Sequence, residues 1–145
     1  MAVFAINFTG KDLEVEGDKV AIGTIKIGEF TEIFHASLSY WDRKTYLKQW
    51  REALNRVLAG QAESALVTSM YDPGAANFIV WWLLYRVNDE IRVQNQILFM
   101  DALGEGFDEQ DMYRFVPSRE THTDENEPVS EWVIERRDIE AFLLG

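Results

Sequence analysis

The side chains best placed to do chemistry are acids. Asp108, Glu109 and Asp111 fall within four consecutive positions, and carboxylate oxygens so clustered can hold Ca2+ or Mg2+. The ligand pattern of an EF-hand loop is missing, so a metal-dependent hydrolase built on the acids of 101–111 is the alternative reading. His35 and His122 are the only histidines, and a ribonuclease of the general acid–base type needs a pair. His35 falls on an expected strand and His122 in a long polar loop, so nothing in the pattern brings them together. No HExxH or Cys/His spacing points to zinc, and there is no P-loop, GxSxG or GxGxxG. Ser39, Thr68 and Ser69 are hydroxyls without an identifiable base. Neither a cofactor nor turnover is expected.

A ligand-binding or scaffold module is the other alternative. Trp81 and Trp82 could stack on a small molecule, and Gln94, Asn95 and Gln96 could line a pocket for it. The residue types favour a plainer role. Tryptophans inside an apolar run of eight residues belong in a core, and strand amides usually bond to neighbouring strands and loops.

Charge sets the partner class. The chain has 145 residues, with 14 Lys plus Arg against 25 Asp plus Glu, a net charge of −11. Such a surface repels phosphate backbones and anionic membranes, and it draws in a basic partner. Segment 101–128 concentrates the effect: nine acids against two bases give −7 of the total. A hydrophobic content of 47% and an aromatic content of 13% exclude general disorder, and the length suits one domain over residues 1–145. There is no cysteine, which removes disulfides and thiolate sites and fits a reducing cytoplasm. The N-terminal MAVFAINFTGKDLEVE lacks the basic and apolar regions of a signal peptide.

The elements that must position these groups follow from periodicity. The central stretch is 77–100, NFIVWWLLYRVNDEIRVQNQILFM. Its first half is an unbroken apolar run, and after Asn88–Asp89 the pattern alternates: Ile91, Val93, Asn95, Ile97 and Phe99 on one parity, Arg92, Gln94 and Gln96 on the other. That predicts a hairpin whose first strand is covered on both faces. Alternation at 3–8, 12–16, 19–27 and 29–38 predicts a β-meander. Residues 64–70 and 131–135 predict two further strands. From 42 to 59 the period becomes helical, with Tyr46, Leu47, Trp50, Leu54, Val57 and Leu58 on one face, Ser39 or Asp42 as the cap and Gly60 as the stop. Five bases, Arg43, Lys44, Lys48, Arg51 and Arg56, fall on its other face, as a solvated surface or as a counter-charge to the acidic loop. A short helix closes the chain at 137–144. The expected fold is α+β: an antiparallel sheet of about six to eight strands, one long helix packed on it, a short C-terminal helix and a long acidic loop at 101–128.

Several segments in this order resemble immunity proteins of bacterial contact-dependent growth inhibition systems. They are SLSYW at 37–41, KQW at 48–50, ALVTSMYDP at 65–73, NFIVWWLLYR at 77–86, VQNQILF at 93–99 and SEW at 130–132. No one of them is a catalytic signature; their order and spacing carry the likeness, which spans about 30–143. The resemblance implies a cytoplasmic protein that neutralises the C-terminal toxin domain of a cell-surface effector. Such toxins are very often nucleases, commonly acting on RNA. A nuclease needs a cationic surface to hold its substrate, and an acidic inhibitor complements it. With that partner, the candidate contacts are Asp101, Glu105, Asp108, Glu109 and Asp111 for charge, with Phe107, Tyr113 and Phe115 as aromatic anchors. Tyr71 and Asp72 at the Tyr-Asp-Pro-Gly turn are added to them. The same aromatics could instead pin the loop to the core.

Overall fold

A computed structural model of the protein describes residues 3–103 and 106–145. Strands β1 (Phe4–Phe8), β2 (Leu13–Val15), β3 (Asp18–Ile27) and β4 (Phe30–Ser37) form one antiparallel sheet. β1 and β2 both pair with β3, at Phe4↔Ile27 to Phe8↔Gly23 and at Leu13↔Val20 to Val15↔Asp18, so they follow one another along the same edge. The expected meander is present once β1 and β2 count as a single strand interrupted at 9–12, where Gly10 takes a positive φ of 65°. The second sheet has the order β5 (Glu63–Ser69), β6 (Phe78–Val87), β7 (Glu90–Phe99), β8 (Trp132–Glu135). Asn88, at φ 57°, turns β6 into β7 as the hairpin pattern requires. Among the described residues there are therefore eight strands, divided four and four.

Opposed residues of an antiparallel pair share a face. On one face of the second sheet lie Phe78, Val80, Trp82 and Leu84, opposite Phe99, Ile97, Asn95 and Val93. Trp132 joins this face opposite Val93. The first sheet covers part of it: Phe30 stacks on Trp132 at 4.4 Å and lies 6.4 Å from Trp82. The other face carries Ile79, Trp81, Leu83 and Tyr85, and segment 107–117 closes over it. Phe107 meets Trp81 edge-on at 6.4 Å, and the Tyr85 hydroxyl donates to the Pro117 carbonyl at 2.8 Å. Trp81 and Trp82 are 0% and 1% exposed, so both are core. The acidic segment is thus in large part a lid. It contains a 3-10 segment, Glu109–Phe115, and then a hairpin pinned by the two-pronged Arg119–Glu131 pair at 2.7 and 2.8 Å. Arg119 holds the Glu131 carboxyl below the usual carboxylate range.

Helix α1 (Arg43–Leu58) starts where Asp42 accepts the Thr45 N–H at 2.8 Å and stops before Gly60, whose φ of 102° no other residue adopts easily. It runs beside β5, whose outer edge has no partner strand among the described residues. The Gln49 amide completes that edge, donating to Ala65 O at 2.7 Å and accepting from Val67 N at 2.9 Å. Trp50 Nε1 donates to Val67 O at 2.7 Å, and Arg56 donates to Glu63 O at 3.1 Å. Tyr46 Oη accepts from Met70 N at 2.9 Å and donates to Ser37 O at 2.6 Å, which ties β4 to β5 across the two sheets. On its inner side Trp50 packs on Phe8 and Phe34, at 4.8 and 5.8 Å. Leu47, expected on the buried face, is 49% exposed, because the edge of β5 draws the helix round toward Gln49. Helix α2 (Arg136–Leu144) opens on a capping box between Glu135 and Asp138 and sets Phe142 against Phe4 at 5.6 Å.

Arg43 pairs with Asp12, and Arg56 stacks on the Tyr113 ring at 4.1 Å. Among the described residues no ion pair joins α1 to an acid of 101–128.

Gln49→Ala would leave Ala65 O and Val67 N dry and unbonded. At about 1–3 kcal/mol per buried group left unsatisfied, the expected loss in urea unfolding is about 2 kcal/mol or more. A loss under about 0.5 kcal/mol would show that the β5 edge does not depend on this amide.

Candidate functional site

Four strand ends meet at one end of the molecule. Tyr46 Oη brings the end of β4 to the end of β5, and the register Phe78↔Phe99 sets the start of β6 beside the end of β7. The Met100 N–H donates to Asn77 O at 2.8 Å, so a 3-10 turn at Met100–Ala102 lies against the β5–β6 connection. The start of the acidic segment docks on the β4–α1 connection. There the Glu109 carboxylate accepts the Tyr40 hydroxyl at 2.7 Å and Trp41 Nε1 at 3.1 Å. The bond to Glu109 raises the Tyr40 phenol above its ordinary value, and the charge of Asp72 adds to the effect, so Asp72 belongs to the same neighbourhood.

The residues expected from sequence separate into two groups. Asp72, Asp101 and Asp108 are exposed at this end. Asp72 shapes its turn by accepting the Gly74 N–H at 2.9 Å, and Asp108 caps the 3-10 segment by accepting the Gln110 N–H at 3.0 Å. Tyr71 is half-buried and meets Phe78 edge-on at 5.5 Å. Glu109 stands with them, with its carboxylate committed to Tyr40 and Trp41.

The second group anchors the lid. Phe107 is half-buried between Trp81 and Phe115, 4.9 Å from the latter. Tyr113 donates to Glu52 at 3.0 Å and accepts from Gln49 at 3.3 Å; burial pushes its phenol well above the ordinary range. Asp111 is exposed on the same segment and pairs with Arg114 at 3.0 Å. Glu105 lies outside the described residues.

Four surface residues at this end escaped the sequence reading. Tyr40 is 43% exposed, and Phe78, Ile97 and Phe99, read as strand core, are 37%, 48% and 52% exposed. Asn95 was the available signal. It interrupts the apolar parity of β7 where the first sheet's cover ends, and its amide donates there to Glu32 at 3.2 Å.

The two histidines do not stand together. His35 stands on β4, and His122 sits in the hairpin beside Thr121, bridging to Pro128. Among the described residues no three of His, Asp and Glu are grouped so as to hold a metal ion. Gln94 and Gln96 line a cavity of about 230 Å3 with Tyr85, Pro117 and Thr123. That is below the usual size of a small-molecule site, and Gln94 is already bonded to Glu120 O and Glu131. No helix of the described residues is long and apolar enough to cross a membrane.

The family described as the CdiI N-terminal domain matches residues 36–142. The chain belongs to the CdiI family of contact-dependent growth inhibition immunity proteins. It is 36% identical over 130 residues to the immunity protein CdiI of Enterobacter cloacae, covering 90% of this chain and 89% of that one. Its fold matches a solved chain of the CdiA-CT/CdiI toxin and immunity complex from Enterobacter cloacae, with a TM-score of 0.89 and 34% identity over 97% of this chain and 95% of the other. The segments that carry the CdiI likeness in the sequence supply core and edge residues such as Trp41, Trp50, Trp81 and Trp82, so they mark the frame of the fold.

Replacing Glu109 with Ala removes both bonds that seat the acidic segment on the β4–α1 connection. Hydrogen exchange of amides 107–116 is expected to accelerate while β5 and β6 keep their protection. Unchanged exchange at 107–116 would show that the packing of Phe107, the buried Met112 and the bonds of Tyr113 hold the lid without Glu109.

Proposed function

We propose that this protein binds the basic C-terminal toxin domain of its own contact-dependent growth inhibition effector and blocks it by stoichiometric occlusion in the cytoplasm, without turnover. We further propose that the toxin is a nuclease acting on RNA. The observation that carries the reading is the fold match to a chain of a toxin and immunity complex, at 34% identity across almost the whole chain. The charge supports it. A protein at −11 is poorly suited to touch a phosphate backbone and well suited to cover the cationic surface that grips one. The acids exposed at the shared end, Asp72, Asp101 and Asp108, would steer such a partner and disfavour wrong ones. Glu109, Asp111, Phe107 and Tyr113 would contribute by holding the acidic segment in place, with any direct contact from Asp111 at its margin.

The test is a titration of the purified toxin domain with this protein, read as residual nuclease activity on RNA. Activity should fall linearly to an end-point of one inhibitor per toxin. Asp72→Lys with Asp101→Lys should fold normally, associate about ten-fold or more slowly at low salt, and fail to protect cells. Full activity at excess inhibitor would refute the inhibitor reading. A toxin with no effect on RNA would refute the substrate assignment alone.

A further inference from the structure

The exposed apolar residues at the acidic end form one patch. Phe78 and Phe99 face each other across β6 and β7, with rings 6.5 Å apart, and Val80 and Ile97 form the next pair on the same face. Tyr71 extends the patch beyond Phe78. The first sheet covers this face as far as Asn95 and leaves the rest open. The patch also borders an open strand edge: β8 pairs with β7 only from Glu90 to Val93, and among the described residues no strand pairs with β7 beyond that point. An uncovered apolar surface on a sheet face beside an unpaired edge is a liability unless something covers it.

Charge decides what covers it. Asp72 follows Tyr71 directly, Asp101 lies two residues beyond Phe99, and Glu32 sits beside Asn95. A second copy of the chain would bring −11 against −11, acids facing acids around the apolar centre. A basic domain would meet the same rim with attraction. We propose that Tyr71, Phe78, Ile97 and Phe99 form the centre of the toxin-binding interface, taking an apolar anchor of the toxin flanked by Lys or Arg, with Asp72 and Asp101 as the charged rim. This rests on the inhibitor reading above. It assigns the holding of the complex to the aromatic centre and the speed of capture to the acids, the usual division between desolvated hot spots and charged rims.

The experiment measures binding of the full chain to the toxin domain of its own effector by surface plasmon resonance at two salt concentrations. Ile97→Thr with Phe99→Thr keeps strand-forming residues at half-exposed positions, so the melting temperature should hold. Its affinity should fall about thirty-fold or more, almost entirely through faster dissociation, with association rate and salt dependence retained. Phe99→Lys, which sets a charge against a basic partner, is the second variant should the threonine pair lose its fold. Ile33→Thr, at the 62% exposed Ile33 on the outer face of the first sheet, should bind like the parent. Parent-like affinity in Ile97→Thr/Phe99→Thr and in Phe99→Lys would overturn the assignment while leaving the inhibitor reading intact. A parent protein that fails to bind the toxin would defeat the inhibitor reading, and this assignment with it. A dimer of the parent in sedimentation that Ile97→Thr/Phe99→Thr dissolves would give the face to self-association and overturn the proposal.

Discussion

The fold depends on how α1 satisfies the open edge of β5. A strand edge presents backbone donors and acceptors that must be bonded if they are buried. Here a helix supplies what a fifth strand would have supplied. Tyr46, Gln49, Trp50 and Arg56 reach Met70, Val67, Ala65 and Glu63 from one side of the helix. Those bonds fix the axial position and rotation of α1. Fixing α1 then fixes the β4–α1 connection, because Tyr46 Oη also holds Ser37 O. The second sheet gains a dry edge, and the first sheet gains its attachment to it.

The acidic end follows from that arrangement. With β4 tied to β5, Tyr40 and Trp41 are set where Glu109 can bond to both, and the acidic segment starts its path over the Trp81 face from there. The lid therefore does two things with one stretch of chain. Its aromatic residues and Met112 close the core, while Asp101, Asp108 and Asp111 remain outside. On the opposite face of the second sheet the cover stops at Asn95, which leaves Phe78, Ile97 and Phe99 in the open beside Asp72 and Asp101. Apolar centre and acidic rim thus come from connections far apart in sequence that one helix gathers.

Much of the frame was legible in the sequence. The 77–100 hairpin, the helix near 42–59 with its Asp42 cap and Gly60 stop, and the short C-terminal helix all rest on periodicity and local capping chemistry. The division into two sheets was not legible, since alternation tells which residues share a face and says nothing about which strands share a ladder. The role of Gln49 was hidden for a related reason: a polar residue between Lys48 and Trp50 reads as solvent-facing until the strand it completes is known. At the site, the acids of 101–111 stood out through charge density, and Tyr71 and Asp72 through their turn. Phe107 and Tyr113 are readable either as contacts or as pins, and the structure packs them against Trp81 and Gln49. The exposure of Phe78, Ile97 and Phe99 was not legible, because it depends on where a neighbouring sheet ends, which no local pattern encodes.

The most direct measurement of where the toxin sits is hydrogen exchange of this protein free and in a one-to-one complex with its toxin domain. New protection should appear at residues 70–78 and 95–103, with weaker protection at 107–111. Protection confined to the outer face of the first sheet, around 24–33, or to the C-terminal helix, with 70–78 and 95–103 unchanged, would contradict recognition through the acidic, aromatic end.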